Sequence, residues 1–373
     1  MKFGLMYEIQ IPKPHTPGIE QQRYKEVMDQ VVLADEVGFD HFWTVEHHFL
    51  SEFSHCSAPE VLYGAISQLT KRIRIGHAVV LLPGHYNHPI RVAERAAVLD
   101  IVSNGRVDIG TGRSATLIEL DGFQIDPEET KAQWREAVSM IPRMWTEDPF
   151  SHDGHYFKIP PRSVIPKPVQ KPHPPLWVAC SQPDSFQAAG EMGLGVLCFN
   201  LEGYEHLRDR IAIYRKAIKN ASPVGKFVNE QVAAFCVTHC GENDEESRKV
   251  AGPEGQWFFD KAAETYGAWK SRGVPDSYKV EVTAYTGPNE TTPTVEDHLA
   301  TGAFVMGNPD TVIAGIEKYE EVGVDQMLCF MQMGNLAHSH ILDSIENYGR
   351  HVIPHFKGKA RTSTTHVAKS EQP

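Results

Sequence analysis

Three adjacent ionisable residues, Glu46, His47 and His48, follow directly on the apolar run Phe42-Trp43-Thr44-Val45. Aromatic and β-branched residues favour a strand there, and Gly38 marks a break before it. Packing offers no reason for charge where such a strand stops. Chemistry does if that end opens onto a pocket, because imidazole titrates near neutrality and can move a proton. The plainer reading is that the three groups satisfy backbone polar groups at a strand end. Two further stretches have the makings of an anion site. Arg113 follows Gly110-Thr111-Gly112, whose glycines let the backbone approach a ligand closely. Ser181 and Ser185 flank the start of an expected helix, where free N–H groups and the helix dipole favour phosphate, although either could be an ordinary N-cap. The chain's 19 histidines raise the question of a metal, with His47-His48, His85/His88 and His338/His340 as clusters. No cysteine joins them at a familiar ligand spacing, and adjacent histidines leaving a strand splay apart. No functional metal is expected.

The elements that must position these groups alternate in type. Strand patterns fall at 2–7, 42–45, 73–82, 107–110, 176–179, 195–199, 232–238 and 327–331. Helical patterns fall at 19–37, 59–70, 89–103, 128–145, 184–192, 204–220, 244–266, 310–321 and 339–352. Eight strand–helix alternations, joined by right-handed crossovers, close into a (β/α)8 TIM barrel. An open doubly wound sheet is the rival, but no Gly-x-Gly-x-x-Gly follows the first strand. The reading is a single barrel domain over 1–356 with insertions at about 150–175 and 267–306 and a polar tail at 357–373. The first insertion, rich in proline, is expected as an irregular surface excursion. The second is expected as a loop too polar for the core, of the kind that serves as a lid. In a barrel the strands' C-terminal ends form the active face. Those ends supply Glu46, His47 and His48, then His77, Ala78 and Val79, then Gly112 and Arg113, then Cys180, Ser181 and Ser185, and last Gln332 to Asn335.

A net charge of −12 over 373 residues, with no basic run to offset it, argues against a nucleic-acid surface. No apolar run approaches the ~20 residues of a membrane span. The N-terminus enters a strand-like run with no signal-peptide pattern. The six cysteines are scattered, mostly in apolar runs, which is the usage of buried thiols in a reducing cytoplasm.

Several stretches, in register, resemble the bacterial luciferase-like flavin monooxygenases. They are Glu46-His47-His48-Phe49 with Glu52-Phe53, Gly76 to Pro83, His88 to Asp100, Asn104 to Arg113, Gly307 to Val312 and Gly323 to Gln326. The resemblance implies a (β/α)8 barrel that takes reduced FMN from a separate flavin reductase. With O2 it forms a flavin hydroperoxide that oxidises a small organic substrate. A homodimer is the family's usual assembly. By the same resemblance His47 is the catalytic proton-transfer residue, with Glu46 and His48 beside the flavin. Ala78-Val79 falls where the family has a non-prolyl cis peptide under the ring. Arg113, Ser181 and Ser185 match phosphate ligands, and Lys131 stands where the luciferase α-subunit has an arginine. Gly112 replaces that subunit's reactive cysteine and Cys180 its phosphate-side glutamate, which sets the luciferase substrate and light emission aside. One branch of the family uses a reduced deazaflavin for hydride transfer. A non-catalytic flavin-binding protein is the third reading.

Overall fold

The computed structural model describes residues 1–199, 201–286 and 293–358. Strand and helix alternate from the start: β1 (Lys2–Tyr7), α1 (Ile19–Val37), β2 (His41–Thr44), α2 (Pro59–Leu69), β3 (Arg74–Leu81), α3 (Pro89–Val102) and β4 (Val107–Gly112). Two helices follow, α4 (Leu117–Gly122) and α5 (Thr130–Thr146), and then a hairpin of β5 (Phe150–Asp153) and β6 (Lys158–Arg162). Alternation resumes with β7 (Leu176–Cys180), α6 (Pro183–Glu191), β8 (Gly195–Cys198), α7 (Glu205–Ala217), β9 (Val232–Cys240) and α8 (Asp244–Gly267). The chain closes with α9 (Lys279–Thr286), α10 (Val295–Thr301), β10 (Phe304–Gly307), α11 (Pro309–Glu321), β11 (Gln326–Phe330), α12 (His338–Asn347) and α13 (Ile353–Lys357).

β1, β2, β3, β4, β7, β8, β9 and β11 pair in parallel around a closed ring, with β11 returning to β1. Helices cover the outside, so strands are buried on both faces and read as nearly continuous apolar runs. Every residue of β9 is buried. At the N-terminal floor the indoles of Trp43 and Trp177 meet edge to face, centroids 5.4 Å apart. A Cβ at Gly76 would lie 2.1 Å from the Trp43 ring, so only glycine fits beside it. Asp108 ties this floor together, accepting from Arg74 Nε at 2.5 Å and Trp177 Nε1 at 3.0 Å, with His41 Nε2 at 3.6 Å. Burial pushes the Asp108 carboxyl up, but His41, Arg74 and Trp177 outweigh it and hold it at about 2. These charges stabilise the end of the barrel opposite the site.

Both insertions are more ordered than their composition suggests. The first is not wholly irregular: β5 and β6 pair antiparallel, and Phe150, Phe157 and Ile159 turn into the core. Glu136 on α5 holds the hairpin by accepting from the backbone N–H groups of His155, Tyr156 and Phe157. In the second, Phe304–Gly307 is a buried strand rather than polar loop. β10 pairs with β9 from Val237 to Cys240, above the point where β8 leaves off at Ala234. Residues 268–286 form helical turns and α9, and Trp269, Tyr278 and Val282 pack with Leu117, Leu120 and Ile125 as a small second core over α4. Residues 287–292 of that insertion, and 359–373 of the expected tail, lie outside the described residues. Among the described residues no helix is long and apolar enough to cross a membrane.

Candidate active site

At the C-terminal mouth, the chain leaving β2 divides the work of its three ionisable groups. Glu46 is buried and its carboxylate is occupied. It accepts from Leu81 N at 2.8 Å, from Asn87 Nδ2 at 2.8 and 3.1 Å, and lies 3.3 Å from His48 Nε2. Those contacts use the lone-pair positions a carboxylate has to offer. Glu46 thus clamps the end of β3 rather than presenting a free base. The His48 ring lies near the rings of Tyr86 and Phe123, with centroids 6.0 and 4.8 Å away.

His47 is held between two carboxylates. Its Nδ1 lies 3.0 Å from Glu119 Oε1, and its Nε2 lies 3.7 Å from Glu8 Oε2. Glu119, fully buried on α4, also accepts from His48 N at 2.7 Å, Ser114 Oγ at 3.0 Å and the Thr116 hydroxyl. Burial alone would lower the His47 imidazolium, yet Glu119 and then Glu8 raise it to about 9. For Glu8 burial dominates, and with Glu119 adding to it the carboxyl reaches about 7 against the pull of His47. Glu119 is raised by burial but held below the usual carboxylate range by the His47 charge and its four donors. The three groups titrate as one coupled set.

Neither Glu8 nor Glu119 was singled out from the sequence. Both left signals. Glu8 follows β1 directly, at the C-terminal end of the first strand. Thr116-x-x-Glu119 is a capping-box pattern that announces the short helix α4.

Beside this cluster the peptide bond Ala78–Val79 is cis. A Cβ at Gly112 would lie 2.3 Å from Val79 Cγ2, so glycine lets the Val79 side chain lie across the end of β4. Arg113, next in the chain, reaches toward the second insertion. Its Nη2 donates to Ser277 O at 2.6 Å, its Nη1 to Thr130 Oγ1 at 3.3 Å, and its guanidinium sits 4.1 Å from the Tyr278 ring centroid. Lys131 is exposed on the first turn of α5, one residue past Thr130. At the end of β7, Cys180 is buried with its thiol 3.4 Å from Ser185 O. Ser185 Oγ accepts from Gln182 N at 3.0 Å and donates to Gln182 O at 2.7 Å, which makes it part of a capping box at the start of α6. Ser181 is half-buried in the turn before it. Among the described residues no three metal-ligating side chains converge to hold an ion.

Residues 1–326 match the family described as luciferase-like monooxygenase. The chain belongs to that family. It is therefore an oxidoreductase of the monooxygenase class. It is 26% identical over 369 residues to the oxygenase component of the flavin-dependent trigonelline monooxygenase of Acinetobacter baylyi, covering 95% of this chain and 96% of that one. It is also 26% identical over 315 residues to the F420-dependent glucose-6-phosphate dehydrogenase of Amycolatopsis mediterranei, covering 83% and 89%. The monooxygenase RslO1 of Streptomyces bottropensis superposes with a TM-score of 0.78 at 25% identity, covering 95% of this chain and all of that one. The family's barrel is thus the fold of this chain.

Proposed function

We propose that the chain is the oxygenase of a two-component monooxygenase: it takes reduced FMN from a separate flavin reductase and uses O2 to oxidise a small organic substrate. The observation that carries this reading is His47, held between two buried carboxylates at the mouth where Val79, Gly112 and Arg113 also converge. The residues present fit FMN. Val79 over Gly112 makes an apolar floor for a flat ring beside Ala78. Arg113 supplies the cation for a phosphate, and the Ser277 Oγ next to it is buried with no hydrogen-bond partner. We assign Ser181 and Lys131 to the same phosphate end, whereas the Ser185 hydroxyl is committed to Gln182 and the Cys180 thiol to Ser185 O.

Bound there, reduced flavin supplies the electrons that activate O2. The chain's own residues do the rest. Glu119 fixes the orientation of His47, and His47 Nε2 holds a proton at the mouth. Glu46 keeps β3 in place through Leu81, and His48 packs the wall with Tyr86 and Phe123. The second insertion, as a lid, excludes water through the Trp269–Tyr278 cluster. The kinship to an oxygenase component supports a separate reductase. Buried thiols throughout suit a cytoplasmic enzyme. Exposed Val61 and Leu69 on α2, beside Val98, Ile101 and Val102 on α3, support a homodimer through that face.

The deazaflavin reading has a relative of its own kind and is the one to exclude. A non-catalytic role is less favoured, because three buried ionisable groups are costly to maintain without a use. Anaerobic titration with reduced FMN and with a reduced deazaflavin, followed by protein fluorescence, separates the readings. Tight binding of reduced FMN is the expected result; binding of the deazaflavin alone would move the chain to hydride transfer.

A further inference from the structure

We propose that Glu8 is the proton reservoir of this site, returning to His47 Nε2 each proton that His47 gives to a reactant. Glu8 acts through His47 and is a positioning residue. The proposal rests on His47 being the group that exchanges a proton at the mouth.

The geometry leaves His47 one free side. Nδ1 is committed to Glu119 at 3.0 Å, so Nε2 is the nitrogen left for a reactant, and Glu8 faces it. Glu8 is anchored through its backbone, whose carbonyl accepts from Ser54 Oγ at 2.7 Å, while its buried Oε2 has no hydrogen-bond partner. The 3.7 Å between Oε2 and Nε2 is too long for a hydrogen bond and close enough for strong coupling in a buried site. A closure of about 1 Å would make a charge-assisted bond.

The charged and titratable groups around this pair come from every side. Glu119 comes from α4, Glu46 from the chain after β2, and the Cys56 thiol from the stretch before α2. With Glu119 anionic, a cationic His47 balances one carboxylate, and a protonated Glu8 keeps the cluster neutral. When the Nε2 proton passes to a reactant, the Glu8 O–H proton replaces it on Nε2. Glu8 is left as carboxylate, and solvent later restores its proton. One proton enters and one leaves, with no redox change. The burial that raises Glu8 to about 7 suits a group that must recharge near neutrality, whereas His47, raised to about 9, stays charged between turnovers.

The test needs neither flavin nor substrate. The full chain is labelled with ring-13C histidine, and the His47 signal is identified by its loss in His47→Gln. In the native chain this signal is expected to show an inflection near neutrality, as Glu8 titrates, before its own alkaline transition. In Glu8→Gln the first inflection should vanish and the alkaline midpoint fall by about one pH unit, a ~10-fold loss of proton affinity. Both features unchanged in Glu8→Gln would overturn the proposal. If Glu8→Gln does not fold, Glu8→Asp retains the charge and should keep a displaced first inflection; its absence there would equally refute the pairing. If the chain instead proves unable to use reduced FMN, the functional reading fails while this titration stands.

Discussion

Replacing Glu119 by Gln keeps the shape of the side chain that holds His47 and removes its charge. The consequence can be sized. An imidazole moved from 6.5 to about 9 binds its proton more tightly in the folded chain by ~3 kcal/mol, at ~1.4 kcal/mol per pH unit. Glu119 is the largest of the contributions that raise it, so most of that stabilisation depends on this carboxylate. The sign follows from linkage. A group whose proton affinity rises on folding stabilises the fold fully below its unfolded value, here 6.5. That contribution is lost as pH climbs through about 9. Urea unfolding of the native chain and Glu119→Gln at a series of pH values isolates the effect of this cluster, because titrations outside His47, Glu119 and Glu8 cancel in the difference. The variant should be less stable by about 2–3 kcal/mol near pH 6, at the lower edge of the ~3–5 kcal/mol typical for removing one partner of a buried pair. The gap should narrow steadily between pH 6.5 and 9.5 as His47 loses its proton in the native chain. A gap that stays constant across that range would show that Glu119 does not hold a charged His47.

Three other outcomes follow from the same geometry. Arg113→Ala should weaken FMN binding about 10–100-fold, the loss of one charge-assisted hydrogen bond at ~1.5–3 kcal/mol, as read by flavin fluorescence. Unchanged affinity would remove Arg113 from the phosphate end. Tyr278→Ala removes the ring that covers Arg113, stacks on Trp269 and meets the Thr130 hydroxyl at 2.7 Å. Limited proteolysis within 267–286 should be faster in that variant, and an unaltered cleavage rate would count against the cluster as what closes the lid. His47→Ala should leave FMN affinity within a few-fold of native while substrate oxidation is lost, and oxidation at the native rate would mean that His47 has another role.

How far the sequence carried the argument depended on what each residue's neighbours were. The barrel was legible because buried parallel strands such as Val232–Cys240 are mostly apolar and alternate with helices. The hairpin at β5 and β6 was hidden by the prolines around it, since its order comes from Glu136 reaching over from α5. β10 was hidden because four residues at the end of a polar stretch carry little period of their own, and β9 supplies the edge they pair with. The Glu-His-His run lies where β2 ends at the mouth. It could not show that Glu46 is a clamp, or that the carboxylates facing His47 lie some forty residues before it and seventy after it. Ser185 shows the limit in the other direction, for its hydroxyl is tied into the turn that starts α6.

On the proposed reading, this mouth receives reduced FMN and controls its reaction with O2. Stopped-flow mixing of the protein and anaerobic reduced FMN with oxygenated buffer tests it most directly, by the visible absorbance of oxidised flavin. The native chain should delay that absorbance well beyond its appearance with free reduced FMN. Appearance at the free-flavin rate, with protein in excess, would contradict the account.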